Sequence, residues 1–180
     1  MKNILYIFLL VSTCLFSQTK YLTKTGIVNF EASVPSFEEV KATNNATTAI
    51  INTENGEFAA LVMVKGFRFK NALMEEHFNE NYAESDTYSK ATFKGQMVDF
   101  DASKLNQNST FKLNGRLTFH GVTKTLEGVN VILTQENDEI KMTGHFKTLA
   151  SDFNIKIPKI VSNKIAENIE VSFNFVMKKK

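Results

Sequence analysis

From Lys24 onward apolar and polar residues alternate with a period of two, the pattern of strands that bury one face. Val28, Phe30 and Ala32 alternate with Ile27, Asn29 and Glu31, and Pro35 ends that run. Thr47 to Asn52 is short and β-branched, and Asn55-Gly56 predicts a hairpin turn after it. Glu57 to Lys65 is apolar on both faces, with Phe58, Ala60, Val62 and Val64 against Ala59, Leu61 and Met63, which predicts a strand covered on both sides. Lys90 to Phe100 carries Ala91 and Phe93 on one side. Ser109 to His120 sets Phe111, Leu113, Leu117 and Phe119 against Lys112, Asn114, Arg116, Thr118 and His120. Val122 to Thr134 and Glu139 to Leu149 form a pair joined through Glu136-Asn137-Asp138, the second with Ile140, Met142 and Phe146 on one face. Asn168 to Lys178 aligns Ile169, Val171, Phe173, Phe175 and Met177.

One block departs from this rhythm. Within Phe67 to Gly95, residues 72–77 are mostly good helix formers, and none is β-branched. Leu73, His77 and Phe78 give the predicted helix an apolar or aromatic face. A single amphipathic helix between strands covers an opening or packs on a sheet, so it is a candidate lid.

About eight strands with short connections and no βαβ rhythm indicate an all-β domain. Closure into an antiparallel barrel removes open edges. A sandwich shows similar alternation, but the single helix and the surplus of phenylalanine favour an eight-stranded barrel with one short helical insertion. Eight strands leave room for packed side chains or one elongated ligand.

The ends and composition narrow this further. Residues 1–18 open with Lys2, continue with the apolar run Ile4 to Leu10 and finish in small polar residues, the pattern of a secretory signal. The run is short for a membrane span, which needs about 20 residues. The expected organisation is a signal over 1–18 and a barrel over 19–180, periplasmic or secreted. Cys14, the one cysteine, lies in that signal; Val11-Ser12-Thr13-Cys14 loosely resembles a lipoprotein acceptor box, but Thr13 is bulky for it. The processed chain then has no thiol for a disulfide, a metal or a nucleophile. Removing the signal takes Lys2 and lowers the formal charge from +2 to +1, a balance that does not call for nucleic acid. Lys178-Lys179-Lys180 is a short basic tail, compatible with transient contact with acidic lipid. Of sixteen phenylalanines only Phe8 and Phe16 fall in the signal, so the barrel is greasy and has few polar handles.

Recognisable catalytic chemistry is missing from the chain. His77, His120 and His145 are too scattered for local metal spacing, and adjacent helix positions such as Glu75, Glu76 and His77 point apart. There is no Gly-rich phosphate loop and no G-x-S-x-G elbow. Neither an enzyme nor a cofactor is expected, other than a bound lipid.

Gly115-Arg116-Leu117-Thr118-Phe119-His120-Gly121-Val122-Thr123-Lys124 resembles the G-x-L-T-h-H-G-V-T-K signature of the YceI-like proteins. The Phe67–Gly95 block is similar to that family's central segment, with a histidine in a short helix ahead of a strand. Where the family often has proline after the positions of Tyr88 and Lys124, this chain has Ser89 and Thr125. The resemblance implies an extended, lipocalin-like barrel and an exported protein that holds a long isoprenoid or similar amphiphile in an apolar tunnel. On that reading the expected ligand-binding residues are Phe67, Phe69, Leu73, His77, Phe78, Phe93, Leu117, Phe119, Phe146, Phe173 and Phe175. Arg68, Lys70 and His77 are the polar candidates at a mouth. An outer-membrane barrel and an exported protein- or glycan-binding module without a lipid cavity are the alternatives.

Overall fold

The alternation is realised as one continuous antiparallel sheet in the computed structural model, which describes residues 20–35 and 37–180. Its strands are β1 (Lys20–Ser33), β2 (Lys41–Asn52), β3 (Glu57–Met63), β4 (Arg68–Phe69), β5 (Lys90–Val98), β6 (Ser109–Phe119), β7 (Val122–Glu136), β8 (Glu139–Leu149) and β9 (Ile165–Lys179). They run in the order β1-β9-β8-β7-β6-β5-β3-β2-β4, and β1 also pairs with β2, so eight strands close into the predicted barrel. β4 is a two-residue ninth strand. A 3-10 turn over Val64–Gly66 interrupts β3, and β4 then pairs with β2 at Ala42 and Thr43, beyond the point where β3 leaves it. The expected signal over residues 1–18, with Cys14, lies outside the described residues.

The inward positions are those the alternation selects. Phe111, Leu113, Leu117 and Phe119 of β6 turn inward, while Lys112, Asn114 and Arg116 are exposed. An apolar interior under a polar exterior reverses the arrangement of a membrane-spanning barrel. β2 begins at Lys41, earlier than the β-branched run alone predicts, because polar Asn44 is tolerated inside. Its buried amide donates to the Met63 carbonyl at 3.0 Å and accepts from the Ala46 N–H at 2.9 Å, so it leaves no unmet hydrogen bond at either end.

The two ends of the barrel are finished differently. At the end holding Lys20 and Lys179, inward residues from the strands meet and fill the lumen: Ile51, Leu133, Ile140, Met142 and Met177 are inaccessible to solvent. A 3-10 segment over Ala102–Gln107 closes that end with Leu105; Asp101 caps it by accepting from the Ser103 N–H. At the other end stand the helix α1 (Ala72–His77), the turn Ala150–Phe153 and the long β8–β9 connection.

Candidate functional site

A tier of phenylalanine rings crosses the lumen. Phe58 stacks on Phe175 with ring centroids 5.7 Å apart, Phe175 stacks on Phe173 at 5.3 Å, and Phe93 lies 6.0 Å from Phe58. Strand register makes room for them. Phe173 is opposite Gly144 on β8, and the Phe93 ring lies over Gly95 and over Gly115, its opposite number on β6. A Cβ at Gly144 would come within 2.5 Å of the Phe173 ring, so the ring occupies the space where a side chain would stand. The tier is the floor of a cavity.

Above the floor the lumen is hollow, with a volume of about 580 Å³. Its wall is aliphatic and aromatic, including Phe30, Val62, Ala91, Leu117, Phe119, Phe146, Phe153, Ile169 and Val171. The polar lining side chains are Glu38, His77, Tyr82, Thr92, Thr148 and Lys164. Residues deeper along the same strands, such as Met97, Val131 and Met142, are buried beneath the floor and do not border the space.

Of the residues singled out from the sequence, Phe67, Phe69, His77, Phe78, Phe93, Leu117, Phe119, Phe146, Phe173 and Phe175 all border this cavity. Leu73 does not; it is 56% exposed on the outside of α1. The helix is turned from the expected phase, so Met74, His77 and Phe78, spaced i, i+3, i+4, form its inner face. The cause lies in the cap and in Phe78. Asn71 caps the first turn by accepting from the Leu73 N–H at 2.9 Å, and Phe78 docks among Phe30, Phe67 and Phe69 at 5.2, 5.9 and 5.3 Å. The helix is therefore both fastened to the barrel and part of the cavity wall.

Arg68 and Lys70 serve as clips outside the lining. Arg68 Nη1 donates to Glu75 Oε1 at 3.0 Å, and Glu75 Oε2 accepts from the Phe69 N–H at 3.1 Å, which pins α1 to β4. Lys70 Nζ pairs with Glu39 at 2.6 Å; that hydrogen bond holds the Glu39 carboxyl below the usual carboxylate range and raises the Lys70 ammonium. Asn71 donates to Glu38 at 3.1 Å, so the β1–β2 connection is held against the helix.

The His120-Gly121 step makes the β6–β7 turn with φ of 47° and 73°, the left-handed pair that a two-residue type I′ hairpin requires. The His120 ring bridges the Phe153 carbonyl, at 2.9 Å from Nδ1, and the Glu84 carboxylate, at 3.0 Å from Nε2, and packs edge-on against Tyr88. Nearby, Asp152 takes Lys124 Nζ at 2.8 Å and the Leu149 N–H at 3.1 Å; the Lys124 contact first, then the backbone donor, holds its carboxyl below the usual range. The G-R-L-T-F-H-G-V-T-K stretch thus ties three loops into a rim and leaves Leu117 and Phe119 facing the cavity.

Sequence reasoning missed the β8–β9 connection, whose Ile155, Ile157 and Val161 also line the cavity. The alternation Ile155-Lys156-Ile157 was the available signal, although the segment is not a strand. Among the described residues no cluster of His, Cys, Asp and Glu could hold a metal ion.

A family model described as YceI-like domain matches residues 21–177. Among curated proteins none matches the sequence. A polyisoprenoid-binding domain from Saccharophagus degradans aligns with a TM-score of 0.76 at 16% identity, over 91% of this chain and 99% of that one. Burkholderia cenocepacia BcnA aligns at 0.71 and 16%, over 84% and 95%. A Campylobacter jejuni YCEI protein aligns at 0.66 and 15%, over 82% and 89%. At such identities these likenesses concern the fold.

Proposed function

This chain belongs to the YceI-like domain family, and from that premise we propose that it binds a long-chain lipid of the polyisoprenoid type in its apolar cavity, carrying or sequestering it without chemistry. The observation that carries this reading is the hollow of about 580 Å³ walled by hydrocarbon above the phenylalanine floor. Its volume falls in the range of roughly 300–1,000 Å³ typical of small-molecule sites. An apolar cavity of about 150 Å³ holds one benzene, so this one holds on the order of twenty carbons. Each buried methylene contributes about 0.8 kcal/mol gross, and about 8 kcal/mol net corresponds to micromolar binding. Twenty carbons leave room for the losses of association. The name of the Saccharophagus degradans domain supports an isoprenoid over other chains. The basic start and apolar run of residues 1–18 support export to the periplasm or beyond. A protein- or glycan-binding module has no use for such a hollow.

The test is extraction of the purified protein for lipid mass spectrometry, together with uptake of a fluorescent isoprenoid analogue. The expected result is saturable uptake that falls more than tenfold in Phe119→Arg while far-UV circular dichroism is retained. A barrel that yields no lipid and takes up no analogue overturns the proposal, and unchanged uptake in a folded Phe119→Arg variant removes Phe119 from the contact surface.

A further inference from the structure

The mouth of the cavity is chemically lopsided. The helical segment leaves the barrel between β4 and β5, and the β8–β9 connection, residues 154–164, leaves it between β8 and β9; among the described residues only the Glu84 end of the former reaches, through His120, the turn that precedes the latter. Going round the barrel, four strands separate them in either direction: β5, β6, β7 and β8 one way, β3, β2, β1 and β9 the other. Residues 72–86 on the helical side hold Glu75, Glu76, Glu80, Glu84 and Asp86 and no lysine or arginine; Arg68 and Lys65 pair with Glu75 and Asp86, which leaves Glu76, Glu80 and Glu84 as the excess acids there. Residues 154–164 hold Lys156, Lys159 and Lys164 and no acid.

The basic side also presents hydrocarbon to solvent. Ile160 is 86% exposed at the tip of the connection, while its neighbours Ile157 and Val161 line the cavity. Leu149, at the end of β8, and Phe37, beyond the end of β1, are exposed in part and border the same mouth. β8, β9 and β1 are consecutive in the sheet, so these groups form one arc. Glu38 and Glu39, which follow Phe37, are engaged by Asn71 and Lys70 on the helical side.

We propose that this arc docks on an anionic lipid bilayer, with Ile160 inserted at the interface and Lys156 and Lys159 against the head groups. Aliphatic side chains flanked by lysine suit that interface, where each lysine near an anionic surface is worth about a fivefold change in partition. The helical side, where acids outnumber the cations paired with them, is not drawn to the same charge, so the barrel leans on the β8–β9 connection and its mouth meets the lipid phase there. An isoprenoid can then pass between bilayer and cavity without crossing water. The proposal rests on the lipid-binding reading for its purpose, while the docking is measured separately.

The test is co-sedimentation of the protein with vesicles of phosphatidylcholine alone and of phosphatidylcholine with one quarter phosphatidylglycerol. Binding is expected to the mixed vesicles, weakening as salt rises. Ile160→Asp and the double change Lys156→Glu, Lys159→Glu are each expected to lower it at least tenfold. Uptake of a fluorescent isoprenoid analogue from detergent-free solution should be as in the parent, since none of these residues lines the cavity. No binding to mixed vesicles, or binding that both variants retain, overturns the docking. Vesicle binding by a protein that takes up no analogue overturns the cavity function and leaves the docking standing.

Discussion

The same alternation builds both halves of this barrel, and the halves end up opposite in kind. Below the tier of Phe58, Phe93, Phe173 and Phe175, large side chains such as Leu133, Met142 and Met177 meet at the axis, and Leu105 plugs the end. Above it, Ala32, Ala60 and Ala91 take inward positions, and Phe119 and Phe146 are left with one side facing empty space. An inward-facing strand residue is therefore not by itself a core residue. What decides is whether partners from the opposite wall reach it, and the floor marks where they cease to.

The largest effect should come from truncation on either side of that floor. Leu133→Ala removes a fully buried side chain from the packed half and should cost about 2–5 kcal/mol, because its surroundings cannot collapse. Phe146→Ala enlarges a space that already exists, so its loss should stay below about 2 kcal/mol despite the bigger side chain. Denaturant midpoints with unchanged slopes decide this; equal losses would mean that the upper half is packed as tightly as the lower.

A smaller effect should follow from moving the floor. Phe173→Ala opens the space over Gly144 and lets a chain reach deeper. Across a series of isoprenoid alcohols, affinity in the parent should rise with length and level off near twenty carbons, the length the cavity encloses. In the variant the plateau should move up by about one isoprene unit, with a gain near tenfold, or about 1.4 kcal/mol, for the longer chain. Competition against a fluorescent analogue reads this directly. A plateau at the same length in both proteins would show that the rings do not limit depth.

The filled half was largely legible in the sequence, since period-two patterning names the residues that turn inward wherever a strand is regular. Where the chain was misread, local geometry competed with that period. Leu73 and Met74 are both apolar helix formers, and only the Asn71 cap together with the seat of Phe78 fixes which of them faces in. Ile155, Ile157 and Val161 line the cavity from a connection without strand pairing, so no ladder enforces their alternation. The floor was also invisible. It depends on Phe173 lying opposite Gly144 and on Gly115 lying opposite Gly95 beneath the Phe93 ring, and register between strands is not written in either one. His120 came to notice through a family signature, while its partners Glu84 and Phe153 belong to segments that no spacing rule connects.

The rim of the hollow half is held by polar contacts, and these should yield the smallest effect and the one with a pH signature. Asp152 accepts from Lys124, Leu149 and Thr148, and its carboxyl is held below its ordinary value of 3.8. A depressed carboxylate pKa contributes stability that is fully present above the ordinary value and lost as pH falls through the folded one. Asp152→Asn should therefore destabilise the protein near neutral pH by less than about 1 kcal/mol, since the pair with Lys124 is partly solvated. The gap between variant and parent should close as the solution is acidified well below 3.8. Leu133→Ala, with no titrating group at the site, should keep its deficit across the same range. Denaturant titrations of the three proteins at several pH values separate the two behaviours. A gap for Asp152→Asn that is constant with pH would mean that its contacts act through shape alone, and that the rim is packed in the same way as the filled half.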